Sequence, residues 1–208
     1  MTELNKIALR ILLNGKGILA ADESNGTMTK RLDAVKIPSN FENRLQFREI
    51  LFTSEAMKNC IGGVILFDET INQTSSTKKT IPEIILSSGA IPGIKVDTGA
   101  KPLANSSNET ITEGLDGLRD RLKNYYKLGA RFTKWRGVYT ITKDKPSKLS
   151  IHSNAHALAR YSALAQECGM VPIVEPEVLM DGEHSADDCL TKTSEVIQKC
   201  FEELIIHK

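Results

Sequence analysis

No run of apolar residues in this 208-residue sequence approaches the ~20 that a membrane-crossing helix needs. Charge of one sign is also missing. The net value at pH 7 is +1, which implies no charge-driven partner such as nucleic acid or a membrane surface. Cysteine is sparse: Cys60, Cys168, Cys189 and Cys200 form no CxxC pair, and the chain is not a small disulfide-stapled scaffold. Reduced thiols in a cytoplasmic protein are expected. There is no P-loop, no dinucleotide-binding glycine fingerprint, no HExxH and no EF-hand loop. No serine or cysteine nucleophile signature occurs. DGEHSADD, residues 181–188, gathers acids around a histidine without a metal-ligand spacing, and the four histidines are otherwise scattered. Neither a metal nor a cofactor is therefore expected.

What the sequence does have is a core. Hydrophobic residues make up 40%, which fits a globular fold rather than disorder. The N-terminus repeats Leu4, Ile7, Ala8, Ile11 and Leu12 at helical period and stops at Gly15, which is helical rather than signal-peptide character.

Five short apolar runs follow: GILAAD (17–22), GGVILF (62–67), GIKVD (93–97), RFTKWRGV (131–138) and VPIVEPE (171–177). Their continuous apolar character predicts parallel strands buried on both faces. Helical patterns lie between them, at 42–53, from about Pro82, at 113–128, at 153–168 and from Ser185 onward. Capping-box matches at Ser39/Glu42, Thr110/Glu113 and Ser185/Asp188 mark three of the starts. Strand–helix alternation of this kind argues a parallel α/β fold, either a (β/α)8 barrel or an open doubly wound sheet.

The charges decide between those two. Along a strand, residues i and i+2 face the same way. Lys95 and Asp97 should share a face, as should Lys134 and Arg136, and Glu175 and Glu177, while Asp22 ends the first run. Charged groups from four strands are thus expected at C-terminal strand ends. In a closed barrel those ends converge on one mouth where catalytic groups sit, so the barrel is favoured.

Glu175 and Glu177 pose the sharpest problem, because a carboxylate in an apolar strand needs a cationic partner or a shifted pKa. Lys95, Lys134 and Arg136 are the candidate partners. A structural salt bridge is the plain reading. General acid/base chemistry is the functional one, favoured by the company of charges from other strands. Lys134 beside another cation is a candidate proton carrier or nucleophile, and Arg136 suits a phosphate. AADESNGTMTKRL offers Ser24, Thr27, Lys30 and Arg31 around a helix start, either an anion cradle or an ordinary capped turn.

The segments GILAADESNGT, CIGGVILFDET, GIKVDTGAKPLA, EGLDGLRDRL, ARFTKWRGV and ALARYSALAQECGMVPIVEPEVLMDGEHS together resemble the Schiff-base (class I) fructose-bisphosphate aldolases, in order and over nearly the whole chain. The resemblance implies a (β/α)8 TIM barrel of which this chain, residues 1–208 as a single domain, holds about the first five β/α units. It implies reversible cleavage of fructose 1,6-bisphosphate into two triose phosphates in glycolysis, usually by a homotetramer. It also implies roles. Asp22 assists cleavage near the C4 hydroxyl, and Lys134 aids formation of the covalent intermediate. Glu175 is the general acid/base for dehydration to the iminium, and Glu177 pairs with the active-site lysines. Ser24, Thr27, Arg31, Lys95 and Arg136 hold substrate hydroxyls or a phosphate. The Schiff-base lysine itself belongs to a sixth strand with a motif like LLKPNM, which these 208 residues do not contain. The alternative expectation is a catalytically silent truncated or split fragment, serving as a binding module or needing a complementary C-terminal fragment.

Overall fold

A computed structural model describes residues 1–208. In chain order it contains α1 (Glu3–Ile11), β1 (Gly17–Ala21), α2 (Asn25–Ala34), α3 (Phe41–Phe52), α4 (Glu55–Cys60), β2 (Ile61–Leu66), α5 (Asp68–Ile71), α6 (Ile81–Ser87) and β3 (Ile91–Lys95). These are followed by β4 (Ala100–Pro102), β5 (Thr110–Thr112), α7 (Leu118–Lys127), β6 (Phe132–Tyr139), α8 (Lys148–Glu167), β7 (Val171–Val178) and α9 (Ala186–Ile206). The five apolar runs are β1, β2, β3, β6 and β7, hydrogen-bonded in the order β1-β2-β3-β6-β7. The α/β class is as expected. β4 and β5 form a separate antiparallel ribbon that the sequence reading did not anticipate. No helix is long and apolar enough to cross a membrane.

The chain divides into two compact units. The first comprises Met1–Lys95, Lys123–Thr133 and Gly169–Val171. In it β1, β2 and β3 run parallel, with Ala21 opposite Leu66 and Leu66 opposite Ile94. The glycines of these strands are there for close approach. A Cβ on Gly62 would stand 1.8 Å from the Ile11 carbonyl oxygen, and one on Gly93 would stand 2.4 Å from the Phe132 ring. Burial on both faces holds for β2 and β3 but not for β1, where only Ala21 is buried and Ile18 is exposed. β1 is an end strand, so it has a neighbour on one side only. Helix starts follow side-chain chemistry. Ser24 caps α2, and Thr80 with Glu83 forms a capping box on α6. The box expected at Ser39/Glu42 does not form. Asn40 caps α3, and the Ser39 hydroxyl instead meets that of Thr29 at 2.8 Å.

The second unit comprises Val96–Leu122, Lys134–Cys168 and Pro172–Lys208. The Thr110/Glu113 match also fails as a cap, because Thr110 begins β5 and the following helix waits until Leu118. α8 starts earlier than its Ala-rich stretch suggests, since Ser147 accepts from the Ser150 amide and supplies the cap. The Ser185/Asp188 box forms as read and opens α9. Side chains along β6 alternate. Trp135 is buried and stacks on Tyr161 at 5.4 Å, and the Tyr161 hydroxyl donates to the Ile173 carbonyl at 2.9 Å. Tyr139, Ile151 and Val196 make a core cluster against which Val178 packs.

Candidate active site

In the second unit the two glutamates find their partners. With Trp135 turned inward onto Tyr161, the alternation of β6 puts Lys134 and Arg136 together on the other face. β7 does the same for Glu175 and Glu177. Nζ of Lys134 lies 3.2 Å from Oε2 of Glu175, and Nη1 of Arg136 donates to Oε2 of Glu177 at 2.8 Å. The pairs differ in exposure. The Lys134 side chain is 14% exposed and that of Arg136 is 46% exposed. Burial pushes the Glu175 carboxyl above the ordinary carboxylate value. Lys134 opposes that rise without cancelling it, Glu177 adds to it, and Arg136 opposes it. An acid raised in this way, touching an ammonium, can hold a proton and hand it on.

Lys134 and Arg136 do not sit at a strand end, as the sequence suggested. β6 runs on to Tyr139, whose side chain is anchored in the core and whose carbonyl accepts from the Leu179 amide at 2.8 Å. Asp97 lies beyond β3 rather than on it, and its Oδ1 accepts the Gly99 amide at 3.0 Å.

In the first unit Asp22 and Lys95 occupy matching levels. Ala21, Leu66 and Ile94 form one register row, and each charged residue comes directly after its member of that row. Ser24 and Thr27 come together at the start of α2, with hydroxyls 3.2 Å apart and the Thr27 amide donating to Ser24 Oγ at 3.3 Å. Arg31 forms an ion pair with Glu23. The capped-turn reading of this segment is therefore present, with a pair of hydroxyls and a helix N-terminus beside it.

Sequence reasoning missed a charged network in the same unit. Arg48 is fully buried on α3, and its Nη2 donates to the Glu23 carbonyl at 2.7 Å. Arg44 grips Glu69 with two hydrogen bonds of 2.8 and 2.7 Å, while Asn25 reaches the same carboxylate at 3.1 Å. The hydrogen bonds from Arg44 hold Glu69 below the usual carboxylate range even though burial opposes them. Burial lowers the Arg48 guanidinium, and nearby Glu23 and Glu69 offset part of that. Only the network's acidic half has a signal in the sequence: β2 runs straight into Phe67-Asp68-Glu69, acids behind an apolar strand, as in EPE.

A protein-family model described as glycolytic fructose-bisphosphate aldolase class-I matches residues 3–208. Fructose-bisphosphate aldolase 6, cytosolic, of Arabidopsis thaliana is 50% identical over 193 residues, covering 93% of this chain and 54% of that protein. Fructose-bisphosphate aldolase C of Carassius auratus is 48% identical over 206 residues, covering 99% of this chain and 57% of that protein. Among solved structures, the fructose-bisphosphate aldolase of Plasmodium falciparum, crystallised with TRAP and a small-molecule inhibitor, is 44% identical. It superposes with a TM-score of 0.95, covering 97% of this chain and 59% of that one. The chain thus spans little more than half the length of the relatives it matches. Paired strand charges, parallel β/α units and these similarities agree: the chain belongs to the class-I fructose-bisphosphate aldolase family.

Proposed function

We propose that this chain carries the acid/base and phosphate-holding share of a Schiff-base aldolase that cleaves fructose 1,6-bisphosphate reversibly into glyceraldehyde 3-phosphate and dihydroxyacetone phosphate. One observation carries the reading: a carboxyl raised by burial, Glu175, stands 3.2 Å from the ammonium of Lys134.

The chemistry needs both groups. Breaking a C–C bond next to a ketone requires an electron sink, which a lysine amine supplies by condensing with the ketone. Amine addition gives a carbinolamine. Glu175 in its protonated form gives a proton to the departing hydroxyl, water leaves, and an iminium remains. Lys134 moves protons in the addition step, and Glu177 holds Arg136 and the lysines in place. Asp22 then assists at the C4 hydroxyl, where the bond to C3 breaks and its electrons pass to the iminium as an enamine. Ser24, Thr27, Arg31, Lys95 and Arg136 hold the substrate's hydroxyls and a phosphate, spending remote binding energy on alignment. Residues 1–208 are read as one aldolase-type domain of about five β/α units, with β6 contributing residues to both compact units. A homo-oligomer working in the cytoplasm on sugar phosphates, without a cofactor, completes the reading.

A LLKPNM-like nucleophile segment is not among these 208 residues. A second reading is that residues 1–208 by themselves form no Schiff base and act together with a segment that supplies the nucleophile. Borohydride reduction in the presence of dihydroxyacetone phosphate tests both. The chain alone should form no adduct. Mixed with the C-terminal portion of a family member, it should give an adduct on the added lysine and lose it with Glu175→Gln. An adduct on Lys134 or Lys95 of the chain alone would contradict the assignment. So would an adduct in the mixture that Glu175→Gln leaves unchanged.

A further inference from the structure

Three of the four histidines, scattered in the sequence, meet on one patch of the second unit. α8 carries His152 and His156 one helical turn apart, and α9 carries Glu203 with His207 as the residue closing its C-terminal end. One ligand-capable atom from each of His156, Glu203 and His207 lies within 4.8 Å of the others. We propose that these three side chains form a binding site for a divalent transition-metal ion of the zinc class, clipping α8 to the end of α9.

The donor set is the right kind. Imidazole and carboxylate ligands suit zinc and cobalt, and two histidines with one acid are a sufficient set for a site that keeps positions open. Glu203 is only 4% exposed, unusual for a glutamate, and two imidazoles and an ammonium approach its carboxylate. His156 Nδ1 is 3.1 Å from Oε2, His152 Nδ1 is 3.4 Å from Oε1, and Lys199 Nζ is 3.1 Å from Oε1.

The imidazoles are set up by their hydrogen bonds. His207 Nδ1 lies 2.9 Å from the backbone carbonyl of Glu203. A carbonyl only accepts, so Nδ1 carries the hydrogen and the lone pair of the neutral ring is on Nε2. Fixing a ring in this way is how metal-binding histidines are normally oriented. Between His156 and Glu203 a carboxylate accepts from a ring N–H across 3.1 Å, close to the spacing of two ligands on one tetrahedral ion. For the ion to sit between them, a neutral ring carries its hydrogen on Nε2 in place of Nδ1, and a protonated ring gives up its Nδ1 proton as the ion binds. Lys199 is the competitor. It also sits 3.3 Å from Glu202, so it has a second carboxylate to move to when an ion arrives.

Titrating Co²⁺ into the whole chain, followed by visible absorption and calorimetry, tests the proposal. The expected result is one ion per chain, with the weak visible bands of nitrogen and oxygen ligation and an affinity that falls as the pH is lowered. His156→Ala and His207→Ala should each weaken binding about 10-fold or more, since loss of an orienting partner alone costs 10- to 100-fold. Lys199→Met should tighten it by removing the competing cation. Should His156→Ala fail to fold, His207→Ala at the helix end decides alone. Absence of a cobalt band would overturn the proposal, as would unchanged affinity in His207→Ala. An intense thiolate charge-transfer band would place the ion on cysteine and overturn it equally.

Discussion

Lys134 and Glu175 face each other from β6 and β7 at 3.2 Å, the lysine side chain 14% and the glutamate 33% exposed. Beside them Arg136 and Glu177 repeat the arrangement closer to solvent. Two ion pairs of the same design therefore differ in environment. Exposed pairs add little to stability, so Arg136→Ala should change the unfolding free energy by less than about 1 kcal/mol. Lys134→Met removes a hydrogen-bonded partner from a half-buried acid and should cost more, about 1–3 kcal/mol. Urea unfolding of the two variants checks the order, and equal costs would argue against the distinction.

Gly93 gives a test of packing. An added Cβ would stand 2.4 Å from the ring of Phe132, inside any permitted contact, and the ring is fully buried. Gly93→Ala should destabilise the chain by about 1–3 kcal/mol, as overpacking does. Phe132→Leu introduced with it should recover part of that loss, because it withdraws the obstructing atoms. Denaturant midpoints of the single and double variants measure the recovery.

Glu109 ties the loop before β5 to the start of α8. It accepts the Ser147 amide at 2.7 Å and the Ser147 hydroxyl at 2.6 Å, and Lys145 at 3.0 Å, with Ser106 also bound. Burial pushes this acid up, but the bonds from Ser106, Ser147 and Lys145 prevail and hold it at about 2, against an ordinary 4.5. A depressed folded-state pKa stabilises at high pH. The contribution is full above about 4.5 and disappears as the pH falls towards about 2. Unfolding measured through that window should show a loss of stability on acidification that is shallower in Glu109→Gln.

The strands were legible because each is a continuous apolar run, and all five were found to within two residues. The pairing of EPE with KWR followed from the two-residue period of a strand and is what the structure has. Cap patterns read less well. Of three box matches only Ser185/Asp188 forms, because four-residue patterns recur by chance and tertiary partners decide, as Thr29 does for Ser39. Arg48 was invisible because a lone arginine on a helix normally reaches solvent, and its burial depends on Glu23 and Glu69 arriving from other elements. The histidine patch was invisible for the same reason. His156 and Glu203 are far apart in sequence, and only the packing of α8 against α9 brings them within 3.1 Å.

The claim on which the catalytic reading rests is that Glu175 is an acid raised by its surroundings and restrained by Lys134. Carbon-detected NMR of the glutamate carboxyls across a pH titration measures this without any substrate. The account predicts that Glu175 titrates above the ordinary glutamate range, and higher again in Lys134→Met, where the opposing ammonium is gone. A Glu175 titration at or below the ordinary value, or one that does not move when Lys134 is replaced, would contradict it.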